Sequence, residues 1–149
     1  MELYIIQWSL NGEQLQKIPS ARTYAIAITP DSTKMVTASI NKIHIYDFHN
    51  WRNMREFDVH DSHLTSLQIT KDSRFALVNT GQASEQMAVM VDLETGQVVT
   101  TYEGPEQKQW QIKGCFGGTD EHFVISGSEG TFPTSSELCG PKPNRGNRQ

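Results

Sequence analysis

Apolar residues recur along the chain in short bursts, many of them alternating with small or polar neighbours at a period of two. Thr23 to Ile28 sets Tyr24, Ile26 and Ile28 against the small Ala25 and Ala27, and Pro30-Asp31 then breaks the run with a turn. Ile43-His44-Ile45-Tyr46 alternates again. Other bursts are apolar at consecutive positions, such as Phe123-Val124-Ile125. That is the pattern of strands in sheets covered on both faces. Helical spacing is sustained over no window of about eleven or more, and β-branched residues crowd the apolar runs. The pattern predicts an all-β chain of short strands separated by tight turns.

The pattern repeats. Ile28-Thr29-Pro30-Asp31-Ser32 returns as Ile69-Thr70-Lys71-Asp72-Ser73, with the two aspartates 41 residues apart. A strand-like run follows each, Lys34 to Ala38 and Arg74 to Val78. A hydrophobic-Asp-hydrophobic step comes later in both, Tyr46-Asp47-Phe48 and Val91-Asp92-Leu93. The second unit is longer by four residues, which fall in the polar insert Thr80 to Gln86. A partial copy, Tyr4 to Glu13, precedes these units, with Trp8-Ser9-Leu10 in the Tyr-Asp-Phe place; another, Phe116 to Ser128, copies the turn and the strand after it. Each unit therefore holds four short strands at a period of about 40, the range of tandem β units. From Gly130 onward the text is rich in Pro, Gly, Ser and Asn without periodicity. We expect a folded region over residues 1–130 and a disordered tail over 131–149.

Composition narrows the function classes. The 149 residues carry 13 Lys and Arg against 17 Asp and Glu, a formal net charge of −4. Such a balance lacks the basic stripe that phosphate neutralisation needs, so nucleic acid is not an expected partner. The longest apolar runs, such as Met87 to Val91, fall far short of the roughly 20 residues of a membrane span. Met1 to Trp8 has neither a basic flank nor a small-residue cleavage site, which leads us to expect the cytoplasm, and the nucleus as a second compartment. Cys115 and Cys139 are too few for a disulfide framework or a four-cysteine zinc site. Both are expected as free thiols, and no cofactor is expected.

Candidate chemistry is sparse. His60-Asp61-Ser62-His63 offers imidazole and carboxylate ligands, but no further residue at a recognisable spacing completes a metal site; a solvated loop is the simpler reading. No Gly-x-Ser-x-Gly elbow is present, so no catalytic residue is assigned. Gly114-Cys115-Phe116-Gly117-Gly118 lacks the Lys-Ser/Thr and the helix of a phosphate-cradling loop, and turn and packing glycines explain it better. Cys115, in a strand-like run, is expected to be a small buried hydrophobe, with Lys113 the one nearby group able to lower its pKa.

Four strands per unit of about 40 residues, ending in a hydrophobic-Asp step, resemble a WD-repeat β-propeller blade. Tyr46 and Val91 stand where the family has Trp, and the usual Gly-His pair is missing, with His60 to His63 near its place. Leu64 to Asn79, then Gly114 to Gly118 and Phe123 to Glu129, are similar to the WD-repeat subunit of the GID/CTLH E3 ubiquitin ligase. The resemblance runs from Thr23 to about Gly130. It implies a partial, open propeller of four-stranded antiparallel blades, about three against the four to eight that close a ring. It also implies a non-catalytic scaffold that helps assemble the ligase or recruit its substrates, with other ligase subunits and protein substrates as partners. Nothing similar to the family's LisH and CTLH helices precedes Tyr4, so oligomerisation through them is not carried over. Two alternatives stay open: a WD-repeat adaptor in signalling or transcriptional repression, and, from another class, a metal or thiol enzyme using His60, His63 or Cys115.

Propellers commonly bind partners at one rim, here next to Arg22, His63 and Lys113, just before the first strand of each unit. Trp51 and Trp110, in polar stretches, are candidate interface anchors, with part-buried packing as the alternative. Asp31, Asp47, Asp72 and Asp92 are expected as structural turn residues. An uncovered blade face of roughly 300 Å² forfeits at most about 8 kcal/mol if wholly apolar. An open piece with two such faces is therefore expected to self-associate.

Overall fold

The computed structural model describes residues 2–59, 63–81, 87–103 and 113–128, and none of these is helical. Twelve strands follow one another: β1 (Leu3–Trp8), β2 (Gln14–Ser20), β3 (Ala25–Ile28), β4 (Lys34–Ala38), β5 (Lys42–Asp47), β6 (Asn53–Asp58), β7 (His63–Ile69), β8 (Phe75–Gly81), β9 (Met87–Asp92), β10 (Val98–Glu103), β11 (Gly114–Gly117) and β12 (Phe123–Ser126). They form a hairpin β1-β2, a four-stranded sheet β3-β4-β5-β6, a second four-stranded sheet β7-β8-β9-β10, and a hairpin β11-β12. Every pairing is antiparallel and between sequence neighbours. The fold is thus an open series of four-stranded antiparallel sheets, the blade arrangement expected. The boundary of the expected tail, and the insert residues 82–86, lie outside the described residues.

The repeat is written in the turns. Ser32, Ser73 and Glu121 each take a left-handed backbone, with φ of 58°, 62° and 57°. Their N–H groups donate to the carbonyls of Thr29, Thr70 and Gly118, three residues back. These turns join β3-β4, β7-β8 and β11-β12, so the last hairpin is the same half of a unit as the first two. The other half repeats likewise. Trp51 N–H donates to Asp47 O, Gly96 N–H to Asp92 O and Gly12 N–H to Ser9 O, closing the turns of β5-β6, β9-β10 and β1-β2. A register shift marks all three of those hairpins.

Alternation along the middle strands buries both faces of the first sheet. Val36, Ala38, Ile43 and Ile45 point into a cluster with Leu64, Ile69, Ala76, Val78, Val89 and Val91 of the second sheet and Leu93 of its β9-β10 turn. Met35 and Tyr46 point the other way, onto Ile5 and Ile18 of the β1-β2 hairpin, with Phe48 and Trp51 packed beside them. Consecutive units touch through their first strands: β3 and β4 pack on β7, and β11 packs on β7 and β8.

The last hairpin departs from expectation. Phe123 and Ile125 are 59% and 57% exposed, and Cys115, cross-strand from Ile125, is exposed rather than buried. The reason is packing: Val36 and Leu77, at the place of Ile125 in the complete sheets, lie beside a third strand and are buried, whereas β11-β12 has no third strand among the described residues and packs through β11 on β7 and β8.

Candidate functional site

The two ends of the strands have different chemistry. At one end lie the turns that hold the aspartates. Asp31 accepts from the Thr33 N–H at 3.0 Å and from the Thr29 hydroxyl; Asp72 accepts from the Arg74 N–H at 3.0 Å and from the Thr70 hydroxyl. Asp47 accepts from the N–H groups of His49 and Asn50 at 2.8 and 3.1 Å, and Asp92 from those of Glu94 and Thr95 at the same distances. The hydroxyl bond of Thr29 first, then the backbone N–H of Thr33, holds the Asp31 carboxyl below its usual range; Thr70 and then Arg74 do so for Asp72. The N–H groups of His49 and Asn50 do the same for Asp47. Burial pushes Asp92 upward, but its two N–H donors and Arg74, whose Nη2 lies 3.2 Å away, outweigh that and leave it lowered. All four aspartates are spent on turns.

These turns also join the units. The Asp31 N–H donates to Ser73 Oγ at 3.1 Å, and the Lys71 N–H to Glu121 Oε2 at 2.9 Å, from one unit's turn to the next in each case. Further along the same junction, the Gly114 N–H donates to Asn79 Oδ1 at 3.1 Å and the Phe116 N–H to Gln68 Oε1 at 3.0 Å.

The opposite end carries the residues expected to bind partners. Arg22 lies over the Tyr24 ring, its guanidinium carbon 5.5 Å from the ring centroid, and that ring lies 5.8 Å from the His63 imidazole. Residues from two successive units are thereby brought into one row, with Arg22 and His63 exposed and Tyr24 half-buried between them. Tyr24 is held by its N–H bond to Ala38 O at 2.8 Å, and β7 is tied to the first sheet by the Leu64 N–H on Ile40 O at 3.0 Å. Opposite His63 stands Gly81; a Cβ there would lie 2.6 Å from Thr65 Cγ2, so the strands close this tightly only without a side chain. Lys113 is exposed immediately before β11, without a described contact to the Arg22 row. Beside the row Ile40 is 44% exposed. Nothing in the sequence marks Tyr24 or Ile40, and Tyr24 reads there only as one apolar member of an alternating strand.

Trp51 sits elsewhere. Its ring meets Phe48 edge-on at 5.0 Å between centroids and packs on the cluster of Ile5, Ile18, Met35 and Tyr46. Trp110, with His60, Asp61 and Ser62, lies outside the described residues. No group of three or more His, Cys, Asp or Glu among the described residues is placed to hold a metal ion. A groove of about 430 Å³ opens between the two sheets, lined by Lys34, Ile45, Met54, Arg55, Leu93 and Glu94. Its two charge signs and mostly aliphatic floor single out no chemistry.

Repeated four-stranded antiparallel sheets, with turn aspartates one unit apart, define a WD-repeat β-propeller architecture. The chain is similar to WD-repeat proteins, among them GID complex subunit 7 of Schizosaccharomyces pombe, with 34% identity over 136 residues. That alignment covers 86% of this chain and 26% of the relative. A WD repeat-containing protein of Dictyostelium discoideum is 36% identical over 110 residues, 73% of this chain and 18% of that one. The WD repeat-containing protein 26 homolog of Drosophila melanogaster is 31% identical over 131 residues, covering 86% and 20%. The chain thus spans about a quarter or less of the length of these relatives. No protein-family model matches it. Among solved structures, hydrazine synthase of Kuenenia stuttgartiensis superposes with a TM-score of 0.63 at 15% identity, over 74% of this chain and 34% of that one, a likeness of fold alone.

Proposed function

We propose that the chain is a protein-interaction module of a GID-type ubiquitin ligase, non-catalytic itself, which helps assemble the ligase or recruit its substrates for degradation. The observation that carries this reading is the 34% identity with GID complex subunit 7 over 86% of the chain. In it, the row of exposed Arg22 and His63 about the half-buried Tyr24 is the docking edge. An aromatic ring flanked by a guanidinium and an imidazole suits a protein surface that offers carboxylates beside an apolar group. Other ligase subunits transfer the ubiquitin, in the cytoplasm and the nucleus.

The test is capture of recombinant GID ligase subunits on the immobilised 149-residue chain, and on a form carrying Arg22→Ala, Tyr24→Ala and His63→Ala. Capture by the first, reduced about tenfold in the second while its circular dichroism is unchanged, is the expected result; a tenfold loss is about 1.4 kcal/mol. Failure of the unaltered chain to capture any subunit overturns the assignment. Equal capture by both forms moves the docking edge away from this row.

A further inference from the structure

Each outer strand carries one residue more than its neighbour can pair. The ladder skips Leu15 between Gln14 and Gln16 of β2, Met54 between Asn53 and Arg55 of β6, and Val99 between Val98 and Thr100 of β10. A bulged residue is left unpaired, and the bulge re-aims its side chain. In all three strands that residue is apolar, 52%, 59% and 50% exposed in chain order. A lone exposed apolar side chain is ordinary. One at the same bulge of three successive units, between polar neighbours in β2 and β6, is a repeated surface feature of the unit.

Met54 has a groove beside it. Consecutive units touch through their first strands, so the outer strands splay apart, and the groove of about 430 Å³ opens between the two sheets on that side. Met54 lines it together with the buried Ile45 and Leu93. One wall is fixed in advance: Gly96, in the same β9-β10 turn as Leu93 and Glu94, lies so close to β6 that a Cβ there would stand 3.0 Å from Phe57 Cγ.

Taken alone, the charges around the groove name no ligand. An apolar anchor between them does. Lys34 and Arg55 enter no salt bridge among the described residues. Against these two cations stands the single carboxylate of Glu94, so the groove is net positive in a chain whose formal charge is −4. We propose that the groove beside Met54 docks a partner protein through a large apolar side chain flanked by carboxylates, on a surface separate from the Arg22 row. The apolar side chain covers Met54 and Leu93, and the carboxylates meet Lys34 and Arg55, which fixes the orientation of the segment. Met and Arg are the residue types enriched at such interfaces. Leu15 and Val99 repeat the anchor on the neighbouring units.

Methyl and amide NMR of the purified 149-residue chain, titrated with the capped tripeptide acetyl-Glu-Leu-Glu-amide, tests this. The methyl signals of Met54 and Leu93 are expected to shift together and to saturate at about millimolar peptide, the affinity of a single small anchor. Acetyl-Lys-Leu-Lys-amide is expected to bind about tenfold more weakly, and Arg55→Glu to reverse that order. Met54→Ser, at an exposed position, is expected to weaken both peptides with the amide spectrum otherwise unchanged, which keeps the test decisive if the Arg55 variant fails to fold. Absence of any shift overturns the proposal, as does equal binding of the two peptides. Shifts centred on Tyr24 and His63 put the peptide on the Arg22 row instead, and equal shifts at Ile26 and Ile125 mean indiscriminate apolar contact; either result overturns it. Met54 signals that move with protein concentration alone make a second copy of the chain the occupant, and overturn the assignment to a partner protein.

Discussion

Trp51 occupies a backbone position that the next unit gives to glycine. Its φ is 60° and its N–H closes the turn on Asp47 O, as Gly96, at φ 75°, closes the turn on Asp92 O. A left-handed conformation costs a residue with a Cβ roughly 1–2 kcal/mol. Ring packing on Phe48 and the Met35-Tyr46 cluster offsets this at Trp51. Two substitutions separate the terms. Trp51→Ala loses the packing and keeps the strain, while Trp51→Gly loses the packing and relieves it. Both are expected to lower the urea midpoint, with Gly above Ala by about 1 kcal/mol, the reverse of the usual order. A midpoint for Ala at or above that for Gly refutes the strain. The turn aspartates give a second expectation. Asp31, Asp47, Asp72 and Asp92 all titrate below the usual carboxylate range in the folded chain. A lowered folded-state pKa contributes stability that is fully present above the unfolded value, about 3.9, and lost as pH falls through the folded value. Urea midpoints are therefore expected to be flat from pH 7 to 5 as far as these groups act, and to fall by pH 3. Asp72→Asn, compared at the same pH values, is expected to show a shallower fall.

At the scale of elements, the junction of β11 with its neighbours runs through two side-chain amides. Asn79 is fully buried, and its Oδ1 accepts from both Ser66 Oγ at 2.9 Å and the Gly114 N–H. Asn79→Ala strands both donors, at a cost of about 1–3 kcal/mol. The expected signature is local: hydrogen exchange quickens at Gly114 and Phe116 before it changes in β4 or β5. Exchange that quickens uniformly would instead make Asn79 a core residue of the second sheet. The sequence shows where this logic becomes invisible. β3, β4, β5, β8 and β12 are legible from alternation and turn chemistry, because period and turn are local. Asn79 reads there as the polar end of an apolar run, since its acceptor role depends on a strand 35 residues away. Cys115 misleads for the same reason: its apolar neighbours in sequence say nothing of whether a third strand lies over them. Arg22 and His63 are legible as positions before first strands, but Tyr24, the ring between them, is visible only once two units stand side by side.

Across the whole molecule, the two four-stranded sheets share one core. Val36, Ala38, Ile43 and Ile45 of the first interlock with Val78, Val89 and Val91 of the second, all nearly inaccessible to solvent. The first sheet buries Met35 and Tyr46 separately on the β1-β2 hairpin, but the larger cluster is common to both sheets, so the pair should unfold as one cooperative unit even though the repeat is modular in sequence. Ile43→Ala, in the first sheet, is the sharpest probe. It deletes a fully buried side chain at the junction, and the expected loss is about 2–5 kcal/mol. The loss should appear equally in near-ultraviolet circular dichroism, to which Trp51 contributes from the first sheet, and in amide protection of β8 and β9 in the second. Val98→Ala, on the exposed face of β10, should shift neither by more than about 0.5 kcal/mol. All measurements belong at one protein concentration, because any self-association makes the midpoint rise with concentration. If Ile43→Ala lowers the first signal and leaves β8 and β9 protected, the sheets are separable repeats; if both fall together, the packing between blades is what makes the repeats one molecule.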